Sequence, residues 1–247
     1  MNYLRTIEHA TSVKEISVIK EPTAHASGIA DFRCRPVFSV FDYGTIAPSE
    51  PLDNSTINLM MGFNFELLRE QGVDSHYIAL VTDQGEEIRA RDAIAQGIAP
   101  TIARVAFVNR LMPEFNDGEW DYNMFGKDDV TSYVQPIEFI SRNDLPEASS
   151  VWKRVAEGQT TMEDLGLPAD FKPGDKIPSG LIPILDYSTK FEPDDRHLTP
   201  AQAQKLMNIG DNRFAAINNS TRTASDVMTD YAASRGFDRK DGKVEYY

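Results

Sequence analysis

Cysteine and basic residues are scarce in this 247-residue sequence. The single cysteine, Cys34, excludes an internal disulfide framework. Lys and Arg total 25 against 38 Asp and Glu, which gives a formal net charge of −13. A surface this acidic repels a phosphate backbone, so we expect no nucleic-acid binding. A small anionic ligand is still allowed, provided that a local cluster of Lys and Arg side chains receives it.

Long apolar runs are also missing. No stretch of 18 apolar residues occurs, which predicts no membrane span. Residues 1–20 lack the apolar core of a signal peptide, so we expect a cytoplasmic protein. Neither the Rossmann nor the P-loop glycine pattern is found, and no G-x-S-x-G elbow is present. The four histidines show no metal-ligand spacing.

Strand signals dominate the first half of the sequence and helix signals the end. Short segments rich in β-branched or aromatic residues predict strands at 15–20, 36–41, 76–81, 103–109 and 136–141. Helical periodicity and capping signals predict helices at 55–71, from Thr199 onward, and from about Asp211 to Arg235. Residues 113–135 are predicted as a linker, 157–180 as a long loop and 241–247 as a terminal strand.

Two residues of the first half are candidate anion or substrate contacts. Lys14 stands just before a predicted strand, where its ammonium group could hold a phosphate. Asp42 follows an apolar strand and precedes Gly44. Each also has an ordinary structural interpretation, as a solvated surface lysine and as a turn residue.

The second half holds two further candidate segments. Arg142 ends a predicted strand and offers a planar fork for a carboxylate or phosphate, with Ser149 and Ser150 as hydroxyl partners. Residues 186–199 are dense in mixed charges, including Lys190 and Asp195, which suits an amino-acid substrate or Mg²⁺. The alternatives are an ordinary helix cap and a solvated charged loop.

The order of these segments resembles the SAICAR synthetase family. The matching motifs are SVKEI, SVFDYG, GVDSHYI, PIEFISRN followed by SSVWKR, STKFEPDDR and DGKVEYY. The resemblance implies an α+β, two-lobed fold. A small antiparallel β-rich N-terminal lobe, 1–112, would be followed by a larger α+β lobe, 113–247, with ATP between the two.

The family resemblance also implies a reaction and its ligands. An ATP-dependent ligase would join L-aspartate to carboxyaminoimidazole ribotide (CAIR), with Mg²⁺ bridging the ATP phosphates. Catalysis of this kind depends on positioning and on neutralising charge, so no nucleophilic triad is needed.

Five positions match the family on the ATP side: Lys14, Leu111, Met112, Lys243 and Glu245. Glu245 is also the implied metal contact. On the substrate side the resemblance assigns Asp42, Arg142, Ser149, Ser150 and Lys190 to the ribotide. Lys190, Asp195 and Arg142 are the implied catalytic residues. The basic groups at 14, 142, 190 and 243 are expected to share one cleft.

Three departures from the family pattern leave alternatives open. Asp53-Asn54 replace a Lys-Gly pair, and Glu147-Ala148 replace a glycine-serine pair. The sequence also stops before the family's C-terminal metal and phosphate segments. A second protein chain could complete the site, and a homo-oligomer is a further possibility. A non-catalytic nucleotide- or ribotide-binding protein and a small-molecule kinase remain the competing functions.

Overall fold

The computed structural model describes residues 3–7, 13–40, 44–46 and 53–247. The chain divides into two compact units, Met1–Asn109 (unit 1) and Arg110–Tyr247 (unit 2). Every strand pair within the described ranges is antiparallel, and helices accompany both main sheets. The α+β class predicted from the sequence is therefore confirmed. None of the helices in these ranges combines the length and apolar character that crossing a bilayer requires.

Unit 1 is built on a six-stranded sheet. Its described elements are β1 (Arg5–Ile7), β2 (Lys14–Lys20), β3 (Gly28–Cys34), β4 (Phe38–Val40), β5 (Gly44–Ile46), α1 (Asn54–Glu70), β6 (Tyr77–Val81), β7 (Glu87–Ile88), α2 (Ala90–Gln96) and β8 (Ile102–Phe107). The sheet order is β1-β2-β3-β8-β6-β7, while β4 and β5 form a separate pair. A core of Tyr77, Leu80, Ala90 and Ala103 lies between the sheet and the two helices.

Helix α1 begins where the sequence departs from the family pattern. The Asp53 carboxylate accepts hydrogen bonds from the backbone N–H groups of Ser55, at 3.0 Å, and Thr56, at 3.4 Å. This side chain satisfies orphan donors of the first helical turn. Gly72, just past the helix, adopts a left-handed φ of 77°, a conformation that glycine takes without steric cost. Asp53 thus has a structural role as the N-cap.

Unit 2 contains a four-stranded sheet with order β13-β12-β11-β14. The strands and α-helices of unit 2 are β9 (Glu114–Asn116), β10 (Glu119–Asp121), β11 (Ile137–Arg142), α3 (Ser150–Ala156), β12 (Ile184–Thr189), β13 (His197–Leu198), α4 (Pro200–Met207), α5 (Asp211–Ser234) and β14 (Asp241–Glu245). Among the described residues, strands β9 and β10 pair only with each other. One face of the sheet packs on α4 and α5 through Phe139, Tyr187, Met207 and Phe214, all of them buried. This apolar contact fixes the sheet, and its opposite face is left for polar side chains.

Two parts of unit 2 differ from the sequence-based prediction. The predicted linker at 113–135 contains the hairpin β9–β10, whose turn residues Asp117 and Gly118 have φ values of 51° and 89°. An Asp-Gly pair with positive φ at both positions favours a two-residue hairpin turn, a signal that the polar composition obscured. Strand β12 is not among the predicted strands, because its residues from Asp186 onward open the segment 186–199, whose mixed charges resemble a solvated loop.

Gly126 is expected to be intolerant of a side chain. Its φ is +71°, and an added Cβ would lie 2.2 Å from the backbone oxygen of Asn208. We expect Gly126→Ala to lower the free energy of unfolding by about 3 kcal/mol, combining left-handed strain with overpacking. Gly174→Ala is the matched control, since its φ is +91° but nothing lies within 4 Å of the added Cβ. That variant should lose only about 1–2 kcal/mol in urea unfolding. Equal losses in the two variants would contradict the steric argument.

Candidate active site

The four-stranded sheet of unit 2 has one charged face. Side chains alternate between the two faces of a strand, and Phe139 and Tyr187 lie on the face that packs against the helices. Their sequence neighbours therefore point to the opposite face. Antiparallel register brings these neighbours from three strands side by side. We call this surface the polar face; its polar residues are Glu138, Arg142, Asp186, Ser188, Asp241, Lys243 and Glu245, and Ile140 and Ile184 lie among them.

Two lysines and two glutamates form an ion-pair network at one end of the polar face. Lys190 Nζ lies 2.7 Å from Glu245 Oε2 and 4.0 Å from Glu138 Oε1. Lys243 Nζ lies 2.6 Å from Glu138 Oε1 and 3.9 Å from Glu245 Oε1. The Ser188 hydroxyl donates a hydrogen bond to Glu138 Oε2 at 3.2 Å, so both oxygens of this carboxylate have a partner. We call Glu138, Lys190, Lys243 and Glu245 the lysine cluster.

The charge of Lys243 is reinforced by its surroundings. Partial desolvation lowers the pKa of this ammonium group, but its hydrogen bond to Glu138 and the charges of Glu138, Glu245 and Asp195 outweigh that effect. The net pKa lies above the ordinary lysine value, so the group is fully charged at neutral pH. Asp195 is exposed and close enough to contribute to this field. The structure therefore brings together the side chains of Lys190, Lys243 and Glu245. The roles that the family resemblance gives to them and to Asp195 stay predictions.

Two arginines converge on a single buried aspartate at the other end of the polar face. Arg142 donates to Asp186 Oδ2 from Nε at 3.1 Å and from Nη2 at 2.9 Å. Arg154, from α3, donates to Oδ1 at 3.2 Å and to Oδ2 at 2.6 Å. Burial raises the pKa of Asp186, but the hydrogen bonds and charges of Arg154 and Arg142 outweigh it, so the net pKa is lowered. We call these three residues the arginine cluster.

His197 extends the polar face onto β13. It pairs with Ser188 across the β12–β13 ladder, and its buried Nδ1 atom has no hydrogen-bond partner in the described structure. Desolvation and the nearby charge of Arg154 lower the pKa of the imidazole. The ring is accordingly neutral at neutral pH.

Four predicted contacts of unit 2 belong to neither of these two clusters. Ser149 is the N-cap of α3 and accepts a hydrogen bond from the Val151 N–H at 3.3 Å, while Ser150 begins the helix. Leu111 packs partly against an aromatic cluster that contains Phe125. Met112 is 44% exposed. The roles that the family resemblance gives to these residues stay predictions.

The two predicted contacts of unit 1 have different outcomes. Lys14 opens β2, and its ammonium nitrogen lies 5.7 Å from the centroid of the Phe32 ring. Asp42 lies outside the described residues. The expectation that Lys14 shares a cleft with the basic residues of unit 2 stays a prediction.

Sequence reasoning did not single out several residues of the polar face. Glu138, Asp186 and Ser188 of this face, and Arg154 of α3, are all buried. Glu138 pairs with Lys243 and Asp186 with Arg142, while Ser188 and Arg154 bond to Glu138 and Asp186 in turn. The sequence signal was incomplete, because Ile137-Glu138-Phe139 and Asp186-Tyr187-Ser188 alternate but Ile140 and Ile184 break the pattern. Only a sustained period-two alternation indicates a strand with one polar face.

The carboxylates of the lysine cluster bear on the predicted metal contact at Glu245. Among the described residues, no group of three or more His, Cys, Asp or Glu side chains is arranged to hold a metal ion. Glu138 and Glu245 are instead two carboxylates bridged by ammonium groups. Mg²⁺ is commonly bound by only one or two carboxylates, with nucleotide phosphates and water completing its shell. Two carboxylates are therefore enough to bind a Mg²⁺ ion that is already coordinated by nucleotide phosphates, but too few to hold Mg²⁺ without a nucleotide.

Comparison with known proteins identifies curated relatives. No family model matches the chain. A protein from Archaeoglobus fulgidus, provisionally named as a phosphoribosylaminoimidazole-succinocarboxamide synthase, is 31% identical over 237 residues, which are 95% of this chain and 66% of that protein. The chain spans between 58% and 66% of the length of three curated relatives with this name.

Solved structures with a similar fold give the same result. A SAICAR synthetase in complex with ADP matches 98% of this chain and 74% of its own, with a TM-score of 0.60 and 17% identity. The Saccharomyces cerevisiae SAICAR synthase in complex with SAICAR matches 99% of this chain and 68% of its own, with a TM-score of 0.61 and 17% identity. These likenesses confirm the predicted SAICAR-synthetase-like fold.

Proposed function

Because the chain belongs to the SAICAR synthetase family, we propose that it is all or part of a cytoplasmic ATP-dependent ligase that joins L-aspartate to CAIR. One observation carries the proposal: a protein of net charge −13 gathers four cationic side chains beside the carboxylates of a single sheet face. They are Arg142, Arg154, Lys190 and Lys243. Within the chain these cations pair with Glu138, Glu245 and Asp186, and they are the groups that the phosphates of ATP and of a phosphorylated ribotide would bind.

The two clusters of the polar face suggest a division of roles. We assign ATP to Lys243 and Glu245 of the lysine cluster, together with Lys14, Leu111 and Met112. The ribotide is assigned to Arg142, with Asp42, Ser149 and Ser150 as further contacts. Lys190 and Asp195 serve the reacting carboxylate and the incoming aspartate. This division is supported by the ammonium groups lying at one end of the polar face and the guanidinium forks at the other.

The proposed chemistry needs two transfers. The CAIR carboxylate oxygen attacks the γ-phosphorus of ATP, and ADP leaves. The amine of L-aspartate then attacks the acyl carbon, phosphate leaves, and the amine gives up its proton as the amide forms. Lys190 and Lys243 neutralise charge on the transferred phosphoryl group, and the rigid sheet holds the reactants in line. Glu138 and Glu245 would hold Mg²⁺, which supplies charge neutralisation at the phosphates.

The outer edge of β14 is where a partner chain would bind. In the ladder with β11, Asn143 N–H donates to Lys240 O at 2.7 Å, which sets the alternation of hydrogen-bonding residues. Backbone groups of Asp241, Lys243 and Glu245 therefore point away from β11. Within the described ranges β14 is an edge strand of the sheet. Strand addition at this edge is the proposed mode for a second chain or for self-association.

The decisive test of the proposal is aspartate dependence. We expect ADP release from ATP, Mg²⁺ and CAIR to require L-aspartate, and SAICAR to form in equal amount. The assay should be run on the chain alone and on the chain with any co-purified protein. ADP release that is equal without aspartate would indicate a kinase. ATP binding without turnover in either preparation would indicate a non-catalytic binding protein.

A further inference from the structure

The arginine cluster carries an unbalanced buried charge. The side chains of Arg142 and Arg154 are 10% and 6% exposed, and they share one carboxylate, Asp186, which is 2% exposed. Asp241 lies 3.8 Å from Arg142 Nη1, but it is 62% exposed, so water screens much of its charge. The buried part of the cluster thus has two positive charges and one negative. An uncompensated buried charge is costly, which favours a further anionic partner.

The same cluster contains unused hydrogen-bond donors. Each guanidinium has five N–H groups. Asp186 engages Nε and Nη2 of Arg142, and Nη1 and Nη2 of Arg154. Within the described structure, Nε of Arg154 is buried with no partner, and Nη1 of Arg142 is too far from Asp241 for a hydrogen bond. Buried donors in native proteins are normally satisfied, so Nε of Arg154 points to a further acceptor, and Nη1 of Arg142 is a second unused donor of the cluster.

His197 adjoins the arginine cluster without adding to its positive charge. The charges of Arg154 and Arg142 lower the pKa of its imidazole, while those of Asp186 and Asp195 raise it, and desolvation is the largest contribution. The net direction is downward. The imidazole therefore stays neutral and does not add to the charge that a ligand must balance.

We propose that Arg154 is a second phosphate-binding arginine and that Asp186 is the positioning residue that holds it beside Arg142. Two guanidinium groups fixed by one carboxylate present several N–H groups to one anion. A carboxylate needs a single fork, whereas a phosphate monoester has three acceptor oxygens and up to two charges. The ligand is therefore a phosphate monoester, and the ribotide phosphate is the source under the proposed function, on which that identification rests.

Ribose 5-phosphate is a suitable probe, because its binding does not require ligation. We expect Arg154→Lys to weaken ribose 5-phosphate binding about 10- to 100-fold in titration calorimetry, since charge is kept but the planar fork is lost. Lys153→Gln is the matched control: it removes the neighbouring cation of α3, which is 78% exposed. The affinity of Lys153→Gln for ribose 5-phosphate should stay within about twofold of that of the unaltered protein, as expected for a screened surface charge.

Asp186→Asn tests the positioning role with a readout that a general loss of structure would not give. This variant should also weaken ribose 5-phosphate binding, while ADP binding, assigned to the lysine cluster, stays within about twofold. A parallel titration with L-aspartate should show the same affinity in the original protein and in Arg154→Lys.

Four results would overturn the inference. They are no binding of ribose 5-phosphate to the unaltered protein, unchanged binding by Arg154→Lys, equal losses of ADP and ribose 5-phosphate affinity, and a selective loss of L-aspartate affinity. The ligase proposal fails separately. If the unaltered protein shows no aspartate-dependent ADP release but Arg154→Lys still loses ribose 5-phosphate, the phosphate site stands without the ligase.

Discussion

Lys243→Met is expected to reduce the kcat of aspartate-dependent ADP release by about 10²–10³-fold, the usual loss when one preorganised electrostatic group is removed. Lys243 is held 2.6 Å from Glu138, and three neighbouring carboxylates keep it charged. Methionine retains the length of the side chain but removes the charge that neutralises the transferred phosphoryl group. The loss should appear mainly in kcat, because charge develops most in the transition state.

Lys240→Met is the matched control for this substitution. Lys240 lies three positions earlier and pairs with Asp144 at 2.8 Å and Asp238 at 2.7 Å, away from the lysine cluster. Its loss should change kcat by less than about threefold, since an exposed ion pair contributes little. ADP affinity should be measured in both variants as well. If Lys243→Met and Lys240→Met behave alike in kcat and in ADP affinity, the lysine cluster is not the nucleotide site.

Phe139→Ala is expected to lower the free energy of unfolding of unit 2 by about 3–5 kcal/mol. Phe139 is fully buried on β11, on the face opposite Glu138. Its ring centroid lies 5.5 Å from that of Tyr187 and 5.2 Å from that of Tyr246. Truncation leaves a cavity between the sheet and α5 and removes both edge-to-face contacts. The polar face depends on this packing because the same strands present both faces.

Tryptophan fluorescence can follow this change selectively. Both tryptophans, Trp120 and Trp152, belong to unit 2, so urea unfolding monitored by their emission reports on that unit. Phe237→Ala is the matched control, because Phe237 is in the same unit but is 72% exposed. It should change the free energy of unfolding by less than about 0.5 kcal/mol. Similar losses in the two variants would show that the β11 core does not dominate the stability of unit 2.

Local sequence signals were sufficient to predict a helix or strand where the contacts that stabilise it are close in sequence. Thr199 and Gln202 form the reciprocal capping box that their spacing predicts, and Pro200 opens α4. The helix predicted at 55–71 corresponds to α1, and the predicted terminal strand to β14. The hairpin of β9 and β10 was missed, because a polar composition concealed an Asp-Gly turn. Strand β12 was missed for a similar reason.

The sequence predicted only some of the candidate site residues. The order of motifs drew attention to Arg142, Lys190, Lys243 and Glu245, all of which lie on or beside the polar face. Their buried partners gave no comparable signal. Asp186 in particular lies at the start of the mixed-charge segment 186–199, whose composition does not distinguish one buried carboxylate from the exposed ones of Asp194 and Asp195.

The sequence by itself determined the charge balance, the absence of a disulfide framework, the principal helices and the resemblance to one ligase family. The tertiary structure decided which charges meet. Lys243 and Glu138 are 105 positions apart in the chain, and they touch because β14 pairs antiparallel with β11 in one register. A shift of one residue would send Lys243 to the apolar face. Register is set by the packing of Phe139, Tyr187 and Val244 against the helices, a contact among distant residues that no local pattern encodes.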